Sequence, residues 1–237
     1  MFFLTNQSFI NKKVLIRVDL NVPLDENMNV TDSTRITACK ETIDFVISAG
    51  GACILMAHLG RPNGKDKTLS FNNILKETSK RLGREVDFVN DCIGETVEKK
   101  ISQMKSGDIL LLENLRFYKE EINGDEMFAK KLSMLGDYYI NDAFGTCHRE
   151  HASTYTIAKY FPKKKYAGKL LEKELNVIDE ILEKGKAPIL AILGGAKVSS
   201  KLKIINNLIE QVDKIIIAGG MAFTFIKARG GEIGDSL

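Results

Sequence analysis

The residues of this 237-residue chain best able to do chemistry fall in short clusters, and most clusters follow an apolar run. Asp19 and Asn21 close the run KVLIRVD, His58 and Arg61 follow ACILMA, and Arg116 follows DILLL. His148, Arg149 and His151 occupy a loop released after Tyr138-Tyr139-Ile140. Arg35 comes just after the polar cluster Thr31–Thr34, in what the spacing predicts to be a first helical turn. A cation there opposes the helix dipole, which makes more sense if an anion comes to the same place. Guanidinium forks match carboxylate and phosphate oxygens, so four arginines with histidine suit a small, multiply charged anion such as a phosphorylated carboxylate. Asp19 and Asn21 suit a substrate hydroxyl or the orienting of an arginine. Taken singly, each arginine reads as well as a surface ion pair. Repetition at successive strand ends carries the anion reading. Cys147 beside His148 raises a thiol nucleophile as an alternative, but adjacency in sequence is not the geometry such a pair needs.

A second device appears twice near the end of the chain. PILAIL leads into Gly194-Gly195-Ala196-Lys197, and KIIIA leads into Gly219-Gly220-Met221. Paired glycines let backbone approach a ligand closely, and a following helix N-terminus offers N–H donors to phosphate. Lys197 and Lys201 are expected one helical turn apart on a shared face. The pattern is neither GxxxxGK[ST] nor GxGxxG.

These clusters need elements to hold them. Short β-rich runs alternate with helical patterns throughout, the signature of a parallel α/β sheet. Strands are predicted at Lys13–Asp19, Ala52–Ala57, Glu85–Val89, Asp108–Leu112 and Tyr138–Ile140, then at Pro188–Leu193 and Lys214–Ala218. One helix is expected from Thr34 to the stop at Gly50-Gly51, with Ile36, Cys39, Ile43, Val46 and Ile47 inward. Others are expected from a Ser70 cap to Gly83, from an Asn90-Asp91 cap along Ile93, Val97, Ile101 and Met104, and over Phe128, Leu132 and Leu135. A long helix should run from Gly168 through Leu170, Leu171, Leu175, Ile178 and Leu182, closed by Gly185 and Pro188. Lys163-Lys164-Lys165 reads as a solvated bend. In a parallel sheet the strand ends lie along one edge, so clusters distant in sequence converge there. The two last strands make a poor sheet alone and are not expected to bury a core of their own.

Composition excludes several classes of function. The net charge is +3 and spread out, with no long basic run to argue for nucleic acid or a membrane surface. Cys39, Cys53, Cys92 and Cys147 show no metal-ligand spacing and read as small buried residues in a reducing compartment. The N-terminus lacks the pattern of a signal peptide. The longest apolar run, Ile215–Ile226, is broken by Gly219-Gly220 and too short for a bilayer. A cytoplasmic protein is expected.

The motifs also have a likeness. RVDLNVP (Arg17–Pro23), TDSTRI (Thr31–Ile36), HLGRP (His58–Pro62), LLENLRFYKEE (Leu111–Glu121), NDAFGTCHREHAS (Asn141–Ser153), LGGAKVSSKL (Leu193–Leu202) and GGMAFTF (Gly219–Phe225) resemble the phosphoglycerate kinase family, in the family's order. The resemblance implies a two-domain glycolytic enzyme that moves a phosphoryl group between ATP–Mg and the carboxylate of 3-phosphoglycerate, with hinge-bending closure. It implies a phosphoglycerate site made of Asp19, Asn21, Arg35, His58, Arg61, Arg116 and Arg149. It implies nucleotide contacts from Gly195, Ala196, Lys197, Lys201 and Gly219, with Arg35 and Lys197 as the catalytic cations flanking the transferring group. Leu20, Ser33, Glu150 and Ser200 are minor departures from the family's pattern.

The implied layout is a Rossmann-like parallel sheet with helices on both faces over residues 1–167, a connecting helix over 168–186, and the start of a nucleotide-binding domain over 187–237. The family's second domain continues well beyond Leu237, and the protein ligand of the magnesium carried with ATP is expected there. No metal ligand is assigned within the chain, and a monomer is expected. The competing reading takes the 237 residues alone as an anion-binding half-protein without turnover. An unrelated phosphosugar enzyme is set aside by the motif set.

Overall fold

The structure, a computed structural model, describes residues 2–199 and 201–236, with residues 182–184 described in backbone alone. Ser200 of the LGGAKVSSKL motif, and the side chain of Leu182 on the long helix, lie outside the described residues. Two units are distinguished, residues 1–174 and 175–237.

In the first unit the apolar runs become strands β1 (Lys13–Arg17), β2 (Ala52–Met56), β3 (Asp87–Val89), β4 (Ile109–Leu112), β5 (Tyr138–Asn141) and β6 (Lys165–Ala167). They form one six-stranded sheet in the order β3-β4-β2-β1-β5-β6, every neighbouring pair parallel. Such a sheet is covered on both faces, so its strands read as continuous apolar runs without polar alternation. Successive residues accordingly enter two different cores. Val14, Ile16, Cys53, Leu55, Ile109 and Leu111 pack on one face with Ile36, Ile43 and Val46. Leu15, Ile54, Met56, Leu110 and Leu112 pack on the other with Val97, Ile101, Phe128 and Leu132. Helices α1 (Thr34–Ala38), α2 (Lys40–Ser48) and α3 (Leu75–Leu82) thus serve the first face, and α4 (Glu95–Ser102) and α6 (Glu126–Ser133) the second. The short α5 (Lys119–Ile122) lies between α4 and α6 in the chain.

Several expectations need correction. The single helix over Thr34–Gly50 is two: Cys39 takes ψ −6°, its thiol donates to the Ile36 carbonyl at 3.1 Å, and α2 starts afresh at Lys40. Ser70 caps a short 3-10 turn, donating no start to α3, which begins at Leu75. Gly94, not Asn90 or Asp91, precedes α4, and Ile93 lies outside it. Gly83 does end α3, at φ +67°, where the left-handed cap lets Arg84 N–H reach the Ser79 carbonyl at 3.2 Å. The basic stretch at Lys163–Lys165 is no solvated bend throughout. Lys165 begins β6, which pairs with β5 as Tyr139↔Lys165 and Asn141↔Ala167, and its ammonium donates to the Ala158 carbonyl.

Helix α7 (Lys169–Lys184) follows, and its first turn is held by Asp142, whose Oδ1 accepts from the Leu170 and Leu171 amides at 3.0 and 3.2 Å. The second unit has strands β7 (Leu190–Gly194) and β8 (Lys214–Ala218), parallel to each other, with helices α8 (Leu202–Ile209) and α9 (Gly220–Ala228). Among its described residues only Ile205 and Met221 are buried apolar side chains. Leu190, Ile192 and Ile216 on the strands are exposed, in keeping with the expectation that this stretch buries no core of its own.

Candidate anion-binding site

Strands β1 and β5 lie side by side, yet the chain leaves β1 toward β2 on one side and leaves β5 toward β6 on the other. Ligands of open α/β sheets bind outside the carboxyl ends of strands at such a switch point. The polar clusters predicted from sequence sit there, carried on the turns that leave β1, β2, β4 and β5.

Those after β1, β2 and β4 are joined into one chain of contacts. Arg35 Nη1 donates to Asp19 Oδ2 at 2.8 Å, and Asp19 Oδ1 accepts from the Asn21 amide at 3.0 Å. Asn21 Oδ1 accepts from the Gly60 amide at 2.8 Å, while Arg116 Nη1 donates to the Gly60 carbonyl at 2.7 Å. Gly60, at φ +62°, therefore couples the β1 turn to the β4 turn through its own backbone. Asn114 fixes the same loop from beneath. It is fully buried, accepts from Leu59 N–H, and donates to the Leu59 and Leu69 carbonyls at 2.8 and 2.9 Å. The glycine of the β5 loop comes near Asp19 as well: a Cβ on Gly145 would lie 3.7 Å from Oδ2.

Arg61, Arg116, Arg149 and His151 line a cavity of about 200 Å³ together with Pro62 and Ile122. Arg116 is buried, and its Nε has no hydrogen-bond partner among the described residues. A buried unpartnered donor costs roughly 1–3 kcal/mol, so this one calls for an acceptor. Burial, and then the charges of Arg149 and Arg17, push the Arg116 guanidinium below its ordinary value. His58 is nearly inaccessible, and burial with the cations Arg17, Arg116 and Arg149 lowers it to about 2. His151 is lowered to about 4 by burial and by Arg116, Arg149 and Arg17. The positive field of the site thus comes from arginine while the two histidines stay neutral, and an anion would relieve it.

Cys147 is the exposed cysteine, where burial had been expected; Cys39, Cys53 and Cys92 are buried. Its sulfur accepts from Asn141 Nδ2 and approaches the Ala143 carbonyl at 3.4 Å, and partial loss of water around the sulfur raises the thiol's pKa although the residue is exposed. His148 turns to Arg149, with Nε2 3.3 Å from that residue's Nε. No thiolate–imidazole pair is formed here.

Sequence reasoning passed over three groups. Arg17 is fully buried, with Nε donating to Ser153 Oγ at 2.9 Å and Nη2 lying 2.9 Å from His58 Nδ1. Glu121 is equally buried and accepts from Ser153 N–H and Oγ–H at 2.9 and 2.6 Å. Burial pushes its carboxyl up, against the pull of Arg17. Asn114 is the third. The available signal was an arginine completing the apolar run KVLIR, a place where a charge has no reason to be unless it is held.

In the second unit the glycine turns pack backbone on backbone. Gly219 sits at φ +68°, where a Cβ would lie 3.1 Å from the Gly195 carbonyl oxygen, and Met221 N–H donates to that oxygen at 2.9 Å. The helix expected straight after the GGAK turn starts later, at Leu202, with Lys201 as its N-cap residue. Lys197 and Lys201 therefore do not share a helical face. The Lys201 stem lies along Gly195, its Cε 2.9 Å from where a Cβ would be.

A family model described as Phosphoglycerate kinase matches residues 4–237. The chain is 50% identical over 226 residues to a protein of Aquifex aeolicus (strain VF5) named phosphoglycerate kinase, covering 95% of this chain and 57% of that one. It is likewise 50% identical over 226 residues to the cytosolic phosphoglycerate kinase of Nicotiana tabacum, covering 95% of this chain and 56% of the relative. The crystal structure of phosphoglycerate kinase from Pyrococcus horikoshii OT3 superposes with a TM-score of 0.83 at 34% identity, covering 99% of this chain and 59% of the other. The chain thus spans less than three-fifths of the length of these relatives.

Proposed function

The chain belongs to the phosphoglycerate kinase family, and from that premise we propose that its basic strand-end site binds 3-phosphoglycerate and that the whole protein transfers a phosphoryl group between ATP and the carboxylate of that acceptor. The products would be 1,3-bisphosphoglycerate and ADP, in glycolysis. The observation that carries the reading is the meeting of Arg61, Arg116 and Arg149 at one cavity, with Arg116 Nε buried and unpartnered.

Phosphoryl transfer asks a protein for positioning and charge neutralisation more than covalent help. In this reading the arginines of the cavity hold the acceptor's phosphate. Asp19, held by Arg35 and by the Asn21 amide, keeps that part of the site rigid. Arg35, its side chain half exposed, and Lys197 serve as the cations that stabilise charge on the transferring group. Gly195, Ala196, Lys201 and Gly219 contact the nucleotide phosphates, a role suited to glycine turns with a lysine stem laid against them. Magnesium would accompany ATP. The described residues contain no group of three His, Cys, Asp or Glu able to hold a metal ion.

We further read residues 1–167 as the acceptor domain, 168–186 as a connecting helix about which the protein bends, and 187–237 as the start of the nucleotide-binding domain, in a cytoplasmic monomer. No helix among the described residues is long and apolar enough to cross a membrane. A module without turnover is the less favoured reading, since the relatives are named as kinases.

Calorimetric titration of 3-phosphoglycerate tests the site. Charge-assisted hydrogen bonds are worth about 1.5–3 kcal/mol each, so Arg116→Ala should weaken binding about tenfold or more, and Arg149→Ala should act in the same direction. Unchanged affinity in both variants would remove the acceptor from this cavity.

A further inference from the structure

Arg17 is the cation that the anion-binding reading leaves without a task. It completes β1, is wholly buried, and spends its donors on three partners: Ser153 Oγ, the Val18 carbonyl and His58 Nδ1. A guanidinium has five N–H donors, no acceptor, and does not deprotonate in proteins. The 2.9 Å contact between Arg17 Nη2 and His58 Nδ1 therefore has one polarity: the arginine donates and the ring nitrogen accepts. A nitrogen that accepts carries no proton, so the single proton of the ring lies on Nε2. A doubly protonated ring would set N–H against N–H.

Arg17 is itself aimed. Ser153 Oγ accepts from Arg17 Nε and donates to Glu121 Oε1 at 2.6 Å, while the Ser153 amide holds Glu121 Oε2. Glu121 also stands 3.9 Å from His151 Nδ1. The charged and titratable groups that act most strongly on the His58 ring are Arg17 from β1, Arg116 from the turn after β4, and Arg149 and His151 from the loop after β5. None of them is an acid.

We propose that Arg17 is a positioning residue that locks His58 as the neutral Nε2–H tautomer, so that this histidine serves the anion site as a hydrogen-bond donor of fixed direction and not as a titrating cation. The proposal rests on the anion-binding reading of the site, in which His58 is a contact. Burial and the surrounding arginines act the same way, holding His58 at about 2. One consequence is that His58 adds no charge to the site while pH crosses the usual histidine range.

The test is a long-range proton–nitrogen correlation spectrum of the full chain labelled with ¹⁵N in its three histidines, with His58→Gln assigning the signal. Without ligand, His58 is expected to keep a protonated Nε2 and a bare Nδ1 from about pH 5 to about pH 8. Arg17→Lys keeps the charge but cannot hold Ser153 and His58 together. It should show mixed tautomers or a titration in that range, and its affinity for 3-phosphoglycerate should fall about tenfold. A wild-type His58 that titrates there, or that carries its proton on Nδ1, overturns the proposal without need of any variant. An Arg17→Lys spectrum matching wild type overturns it too. Because the spectra need no ligand, a locked tautomer in a chain without affinity for 3-phosphoglycerate would support the role of Arg17 and reject the acceptor reading instead.

Discussion

Strands β1 and β8 are spelled almost alike, KVLIR and KIIIA, yet their residues meet different surroundings. β1 has β2 along one edge and β5 along the other, with helices over both faces, and four of its five residues are buried. β8 pairs with β7, and none of its five residues is buried. A Val, Leu or Ile side chain contributes roughly 1.5–3 kcal/mol when fully buried relative to exposed. The comparison teaches that an apolar run states a demand which only neighbouring elements can meet. It also explains where a site can be held still. Arg17 ends a strand packed on every side, whereas the glycine turns of β7 and β8 ride on a two-stranded sheet with Ile192 67% exposed.

The largest test of this contrast is a pair of truncations. Leu55→Ala, in the core of the first unit, should cost roughly 2–5 kcal/mol in urea unfolding of the chain, and Ile216→Ala about 0.5 kcal/mol or less. Equal costs would erase the distinction between the two units. Acid comes next. His58 and His151 stay neutral in the folded chain down to about 2 and about 4, while in the unfolded chain each takes a proton near its ordinary value of 6.5. The unfolded state then binds more protons, so stability falls as pH drops below that value, by up to about 1.4 kcal/mol per pH unit for each histidine. The raised carboxyl of Glu121 acts with the opposite sign and trims the slope. His151→Gln should flatten the decline down to about pH 4, and an unaltered slope in denaturation at several pH values would mean that His151 is not held neutral. The smallest effect concerns helix starts. Asp125 Oδ1 accepts from Phe128 N–H at 2.7 Å at the head of α6, whereas Lys201 gives α8 no side-chain cap. Asp125→Ala should cost about 1 kcal/mol, and a neutral result would show that packing alone holds α6.

How much of this was legible in the sequence depended on whether a residue's role was local. The strand runs and the basic residues behind them were readable because apolar continuity marks a strand buried on both faces, and its C-terminal end follows at once. β6 was hidden because Lys163-Lys164-Lys165 outweighs the two residues Tyr166 and Ala167 that complete its pairing with β5. The break at Cys39 left the inward spacing of Ile36 and Ile43 intact, so periodicity could not show it. The late start of α8 at Leu202 was missed for a similar reason, since four-residue spacing suits a helix whether or not one forms. Arg17 was quoted inside its motif but not singled out. Its meaning lies in partners far along the chain, His58, Ser153 and, through Ser153, Glu121, which no local pattern announces.

That distance has a consequence in time. Strand β1 is tied to the start of β5 by the Lys13 amide and the Asp137 carboxylate, 124 residues apart, and Arg17 finds Ser153 only 136 residues later. At the roughly 5–20 residues per second of protein synthesis, β1 waits on the order of ten seconds for its second neighbour. Pairings so remote are also the ones that slow folding once the chain is complete. During that interval the arginine at the end of β1 has neither the serine nor the buried glutamate that later direct it. The anion site is therefore among the last features of the first unit to be born, although its first residue is among the earliest to be made.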